Sequence, residues 1–259
     1  MKRYSIVSNY LQREVFLDIV VPTGALGDGE TFKLLVLNDG QDADSFQLKS
    51  VMSEAIASGI ISPTLAVAVH VGERKQEYGI SHRPDYAKRG SKASVYASII
   101  EEELMPWLFR QFPISKWAKD KAIAGFSLGA LSAFDIAWHQ SEIFGNAGLF
   151  SGSFWWRAKA LENGYKPTDR IALQLVKEST IKKDLKFWFQ IGWMDENADR
   201  DSDGLIDSIG DTIDLIRELK AKGYKAGQDI EFIEVGNGYH DHKTMARVFP
   251  KFLKWWQSR

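Results

Sequence analysis

The chain has 259 residues, with 33 lysines and arginines against 34 aspartates and glutamates, a formal net charge of -1. That balance excludes a broad basic field for nucleic acid or an anionic membrane surface. The 44% hydrophobic content excludes disorder as the main state, and the lack of cysteine excludes disulfides, cysteine–zinc and iron–sulfur sites and thiol catalysis.

Met1 to Tyr10 carries charge but no apolar core of the kind a signal peptide needs, and no apolar run approaches the ~18 residues of a membrane span. The expectation is a cytoplasmic protein with one domain over residues 1–259, and no feature sets an oligomeric state. In chain order, strands are expected over Val15–Val21, Phe32–Leu37, Leu65–Val71, Ala122–Phe126, Ala147–Phe150, Phe187–Ile191 and Ile230–Val235. Helical spacing lies between them, over Ser45–Ser58, Ser94–Phe109, Leu128–His139, Ile209–Lys222 and Met245–Trp256. Strands without clean alternation, separated by helices, imply an α/β fold with a mostly parallel sheet covered on both faces. The polar, aperiodic stretches Gly72–Gly90 and Asp195–Asp207 read as long functional loops.

Gly125-Phe126-Ser127-Leu128-Gly129 is a G-x-S-x-G between a strand and a helix. In that setting the serine stands on a strained crest, and the helix start offers N–H groups and partial positive charge to a developing oxyanion. The bland alternative is a glycine-flanked turn whose serine caps the helix. A serine nucleophile needs a base and an acid that orients the base, in the chain order Ser, Asp or Glu, His for this fold class. His240, in a glycine-rich stretch after the last strand, is the expected base, with His242 as its rival. His139 suits the C-terminal end of its helix as a cation, and His70 suits a core or edge position. The acid follows the strand Phe187–Ile191: Asp195 is expected and Glu196 is the alternative. Asn38-Asp39-Gly40-Gln41 offers the backbone N–H of Gln41 as a second oxyanion donor beside that of Leu128.

These residues resemble the esterase D-like family of α/β-hydrolases, which includes enterochelin-type siderophore esterases, feruloyl esterase domains and mycolyltransferase antigens. The resemblance spans nearly the whole chain. It is carried by Ser8 and Pro22, Leu37 to Gln41, Arg74, Glu77-Tyr78, Pro84-Asp85-Tyr86, Gly90, Tyr96, Glu102-Glu103-Leu104 and Pro106. It continues through the G-x-S-x-G, Phe144-Gly145, Ser151-Gly152-Ser153-Phe154-Trp155-Trp156, Gly238-Tyr239-His240, Phe252-Leu253 and Trp256. It implies an α/β-hydrolase fold, a triad of Ser127, Asp195 and His240, and oxyanion donors at Gln41 and Leu128. Ala130 departs from the pattern, where relatives often carry a second glycine.

Asp199, Asp201, Asp203 and Gly204 match the start of an EF-hand calcium loop, with Asp207 at its ninth position, but Gly210 stands where a bidentate Glu belongs. The stretch reads either as a structural calcium site or as a solvated helix-capping loop. Trp155, Trp156, Tyr78 and Tyr239 are expected to line an apolar cleft, whereas Trp188, Trp255 and Trp256 suit packing. Arg74, Arg83 and Arg89 either meet an anionic substrate or hold the long loop through carboxylates such as Glu73 and Asp85. The expected activity is hydrolysis of a small-molecule ester through an acyl-enzyme, with no cofactor required for the chemistry. An acyltransferase on the same site and a non-catalytic binding module are the alternatives.

Overall fold

In the computed structural model, which describes residues 1–23 and 26–258, the seven expected strands and one more at Lys2–Ser8 join into one eight-stranded sheet. They are β1 (Lys2–Ser8), β2 (Arg13–Val20), β3 (Lys33–Asn38), β4 (Thr64–Val69), β5 (Lys121–Phe126), β6 (Asn146–Phe150), β7 (Lys186–Met194) and β8 (Ile230–Tyr239). Their spatial order is β1-β2-β4-β3-β5-β6-β7-β8. The β1–β2 and β2–β4 pairs are antiparallel and the other five are parallel. Every residue of β4, β5 and β6 is buried, which explains why these strands read as continuous apolar runs.

The helices are α1 (Leu48–Ala57), α2 (Arg74–Glu77), α3 (Ala93–Ser98), α4 (Met105–Gln111), α5 (Leu128–His139), α6 (Ile171–Glu178), α7 (Asp207–Lys222) and α8 (His242–Gln257). The expected helix over Ser94–Phe109 is α3 and α4 joined by a π-helical segment, Ile99–Leu104. One core cluster packs α3 through α7 against one face of the sheet, with Leu104, Leu108, Leu131, Ile171 and Leu215 at its heart. The other face is covered by α1 and α8 through Met52, Met245, Phe249 and Phe252. The two-sided cover leaves the carboxyl ends of the parallel strands as the open edge, where sites collect in such sheets.

Strand β1 and helices α2 and α6 were not expected. Residue Lys33 starts β3 one position later than the apolar pattern suggests, and β7 and β8 run on to Met194 and Tyr239. Those extensions carry the chain directly to Asp195 and His240.

Candidate active site

Ser127 follows the last residue of β5 with φ 58° and ψ -121°, a conformation that costs a non-glycine residue about 1–3 kcal/mol and persists only where the surroundings enforce it. They do so here. Its N–H donates to Phe150 O of the adjacent strand at 2.9 Å, and its carbonyl accepts from Ala130, Leu131 and Ser153. A Cβ at Gly125 would lie 2.3 Å from Gly129 O, so the crossing of strand and helix start requires glycine there. A Cβ at Gly129 would instead lie 2.6 Å from Asp39 Oδ2, so the second glycine makes room for the loop after β3.

The imidazole of His240 lies next to this turn, its ring centroid 4.5 Å from that of Phe126. Its Nδ1 is 3.2 Å from Asp195 Oδ2, and the Asp195 side chain is 1% exposed. Asp195 Oδ1 accepts from Gly192 N at 3.2 Å, and a Cβ at Gly192 would strike both that oxygen and the Gly238 carbonyl at 2.4 Å. Between Gly192 and Met194 the register of β7 against β8 shifts, which turns the carboxylate toward the histidine. His240 is fixed from its other side by the start of α8. Asp241 Oδ1 accepts from Thr244 N at 2.7 Å, and Thr244 Oγ1 accepts from Tyr239 N at 3.0 Å. The Thr244 N–H holds the Asp241 carboxyl below its usual range.

The two acid candidates part company. Glu196 does not reach His240: its Oε1 accepts from Ser208 N at 2.6 Å, in the first turn of α7, and burial pushes its pKa up. His242 packs edge-on against Phe46 and Phe126 instead of facing the serine.

Ser127, Leu128, His240, Asp195 and Trp155 all line one cavity of about 300 Å³. Among the described residues no hydrogen bond joins Ser127 to His240; the serine Oγ lies 3.4 Å from Ser153 Oγ. Leu128 N and Gln41 N donate to no other group among the described residues, although Gln41 is not one of the cavity-lining residues. Gln41 follows Asp39, whose φ of 60° bends the chain out of β3 into a short 3-10 turn over Gly40–Asp42.

Asn38, Asp39, Arg74 and Tyr96 stood out in the sequence, but not the bonds by which they carry this loop. Asn38 Nδ2 donates to Gly129 O at 2.8 Å, and its Oδ1 accepts from Tyr96 Oη at 2.8 Å. Arg74 is bidentate on Asp39 and also reaches Phe126 O. The signal available was position: Asn38 and Asp39 end a central strand next to the expected oxyanion loop.

Three expected contacts require correction. Tyr78 is fully buried, with its hydroxyl accepting from Asp39 N at 2.9 Å, and Trp156 is fully buried, with Nε1 on Arg83 O at 3.3 Å. Both support the wall from behind and neither forms its surface. Tyr239 is 54% exposed and stands outside the cavity lining. In the acidic loop, Asp199, Asp201 and Asp203 bring carboxylate oxygens within 4.8 Å of one another. Asp207 does not join them: it opens α7 and accepts from Arg200 N at 3.0 Å, with the Arg200 guanidinium on its other oxygen. Asp199 also accepts from the N–H groups of Asp203 and Gly204, as a capping loop does. No helix among the described residues is long and apolar enough to cross a membrane.

The family model described as "Putative esterase" matches residues 8–252, and the chain belongs to that family. Its architecture is that of the α/β-hydrolase-type esterases. The Bacillus subtilis (strain 168) protein YjcH is 26% identical over 215 residues, covering 82% of this chain and 78% of its own. Among solved structures, the enterobactin esterase FES from Shigella flexneri superposes with a TM-score of 0.77 at 21% identity, over 99% of this chain and 59% of that one. An IroE-like serine hydrolase from Shewanella oneidensis gives 0.72 at 16% identity, over 99% and 80%. At these identities the likeness to the solved structures is one of fold.

Proposed function

We propose that the protein cleaves carboxylic esters with Ser127 as nucleophile, through an acyl-enzyme. The observation that carries this reading is the meeting of the strained Ser127 turn and the His240–Asp195 pair on a single cavity. His240 Nε2 takes the Ser127 proton as Oγ attacks the ester carbonyl carbon. Asp195 accepts from Nδ1–H, which fixes the tautomer and stabilises the imidazolium that forms. The negative charge gathering on the carbonyl oxygen is met by the uncommitted N–H groups of Leu128 and Gln41, each worth about 2.7–4 kcal/mol in the transition state. The imidazolium then protonates the leaving alcohol. In the second half, His240 draws a proton from water, which attacks the acyl carbon and frees Ser127.

The serine hydroxyl must swing from Ser153 toward His240 for the first step. Catalytic contacts of this kind commonly tighten only with substrate bound. A fluorophosphonate probe tests the reading. The expected result is a single covalent adduct on the peptide containing Ser127, abolished in His240→Ala. A probe that leaves Ser127 unmodified while the protein is folded contradicts it.

A further inference from the structure

The walls of the Ser127 cavity differ in charge. One wall comes from the segment after β4 and brings Arg74, Lys75 and Arg89. Arg74 is committed to Asp39. Arg89 is committed to Asp85, with Nε at 2.6 Å, and its guanidinium also lies 5.0 Å from the Trp155 ring. Lys75 is exposed, and its ammonium has no carboxylate or hydrogen-bond partner among the described residues. The opposite wall carries the acids Asp195 and Glu196. Asp195 is taken up by His240, and Glu196 by the Ser208 N–H. Burial pushes the Glu196 carboxyl toward its neutral form. Every carboxylate lining the cavity is thus engaged, while one cation is not. An unpaired positive charge on the lining of a cavity attracts a negative group on whatever enters.

We infer that the esters this site favours carry a carboxylate or similar anionic group, and that Lys75 is the residue that selects for it. This rests on the Ser127 hydrolase reading. The anion can belong to the acyl half or to the alcohol half of the ester, and the two are separated by experiment.

The test compares kcat/KM within two substrate pairs. 4-Nitrophenyl hydrogen glutarate against 4-nitrophenyl butyrate places the charge in the acyl half. 4-Acetoxybenzoate against 4-acetoxybenzamide places it in the alcohol half. Intrinsic reactivity cancels when the anionic-to-neutral ratio of each variant is divided by that of the unaltered protein. Lys75→Gln should lower that ratio by about threefold or more in one of the two pairs, and Lys75→Glu should lower it further. Added salt should shrink the ratio of the unaltered protein. Lys116→Gln, an exposed site outside this cavity with the same change in net charge, should leave both ratios alone. Ratios unchanged in Lys75→Gln for both pairs overturn the inference, even if Ser127→Ala is inert on all four esters and the hydrolase reading stands. Full turnover by Ser127→Ala would remove that reading and the inference with it.

Discussion

Arg74 grips both carboxylate oxygens of Asp39, at 2.8 and 3.0 Å, and the same guanidinium donates to Phe126 O at 3.1 Å. One side chain therefore ties the loop after β3 to the residue preceding Ser127. Asp39 is 1% exposed and sits at positive φ, so its carboxylate has no solvent to fall back on. Arg74→Met leaves that charge buried without its partner. It should lower stability by about 1–3 kcal/mol and reduce kcat on any ester by about tenfold or more, through misplacement of the loop. Denaturant unfolding beside steady-state kinetics checks both. An unaltered kcat would show that the loop keeps its place without Arg74.

Asp195 and Glu196 are adjacent in sequence but do different work. Asp195→Asn should lower kcat by roughly 10³–10⁴-fold, because the amide presents the wrong hydrogen-bonding group to His240 Nδ1. Glu196→Ala removes an acceptor from the first turn of α7 and should instead cost about 0.5–2 kcal/mol of stability. Kinetics and unfolding of the two variants side by side would expose an exchanged assignment.

Asp211 is 1% exposed and pairs with both Arg170, itself 1% exposed, and Arg200 of the acidic loop. Asp211→Asn removes the charge that the two guanidinium groups share, leaving Arg170 to Asp214 and Arg200 to Asp207, and should destabilise the fold by about 1–3 kcal/mol. Replacing Asp201, which lies exposed on the same loop, should change stability by no more than about 0.5 kcal/mol in calcium-free buffer. Equal losses at the two positions would contradict this division between anchor and rim.

Lys121 is 2% exposed, donates to Ser115 O and Trp117 O, and is pushed down to about 8 by burial. In the unfolded chain it holds its proton up to about 10.5. Between those values the unfolded state binds more protons than the folded one, so stability contributed at this position rises with pH across that window. The difference in unfolding free energy between the unaltered protein and Lys121→Met should grow from pH 8 to pH 10. A difference that is flat or shrinking would contradict the assignment.

Most of the sheet was legible in the sequence, because buried parallel strands print as apolar runs, and the G-x-S-x-G between a strand and a helix pointed to the turn that the structure places on the cavity with Asp195 and His240. Strand β1 was missed since Lys2-Arg3-Tyr4-Ser5 buries so little: only Ile6 and Ser8 are buried in that strand. The short α2 lies in a polar segment without periodicity, held by tertiary bonds such as Glu77 to Arg13. The helix over Ser94–Phe109 was found, but its π-helical turn leaves no trace in hydrophobic spacing. Tyr78 and Trp156 illustrate a general limit. An aromatic residue near a site reads the same whether it faces the ligand or props the wall behind it, and only the packing of Gly79 and Gly90 against the Trp156 ring decides the matter.

The central claim is that the Ser127 hydroxyl is the attacking group. Its most direct test is hydrolysis of 4-nitrophenyl butyrate by Ser127→Ala, with near-ultraviolet circular dichroism confirming an intact fold. The account predicts a fall in kcat of roughly 10⁴–10⁶-fold. Turnover within tenfold of the unaltered protein, in a preparation free of other esterases, would contradict it.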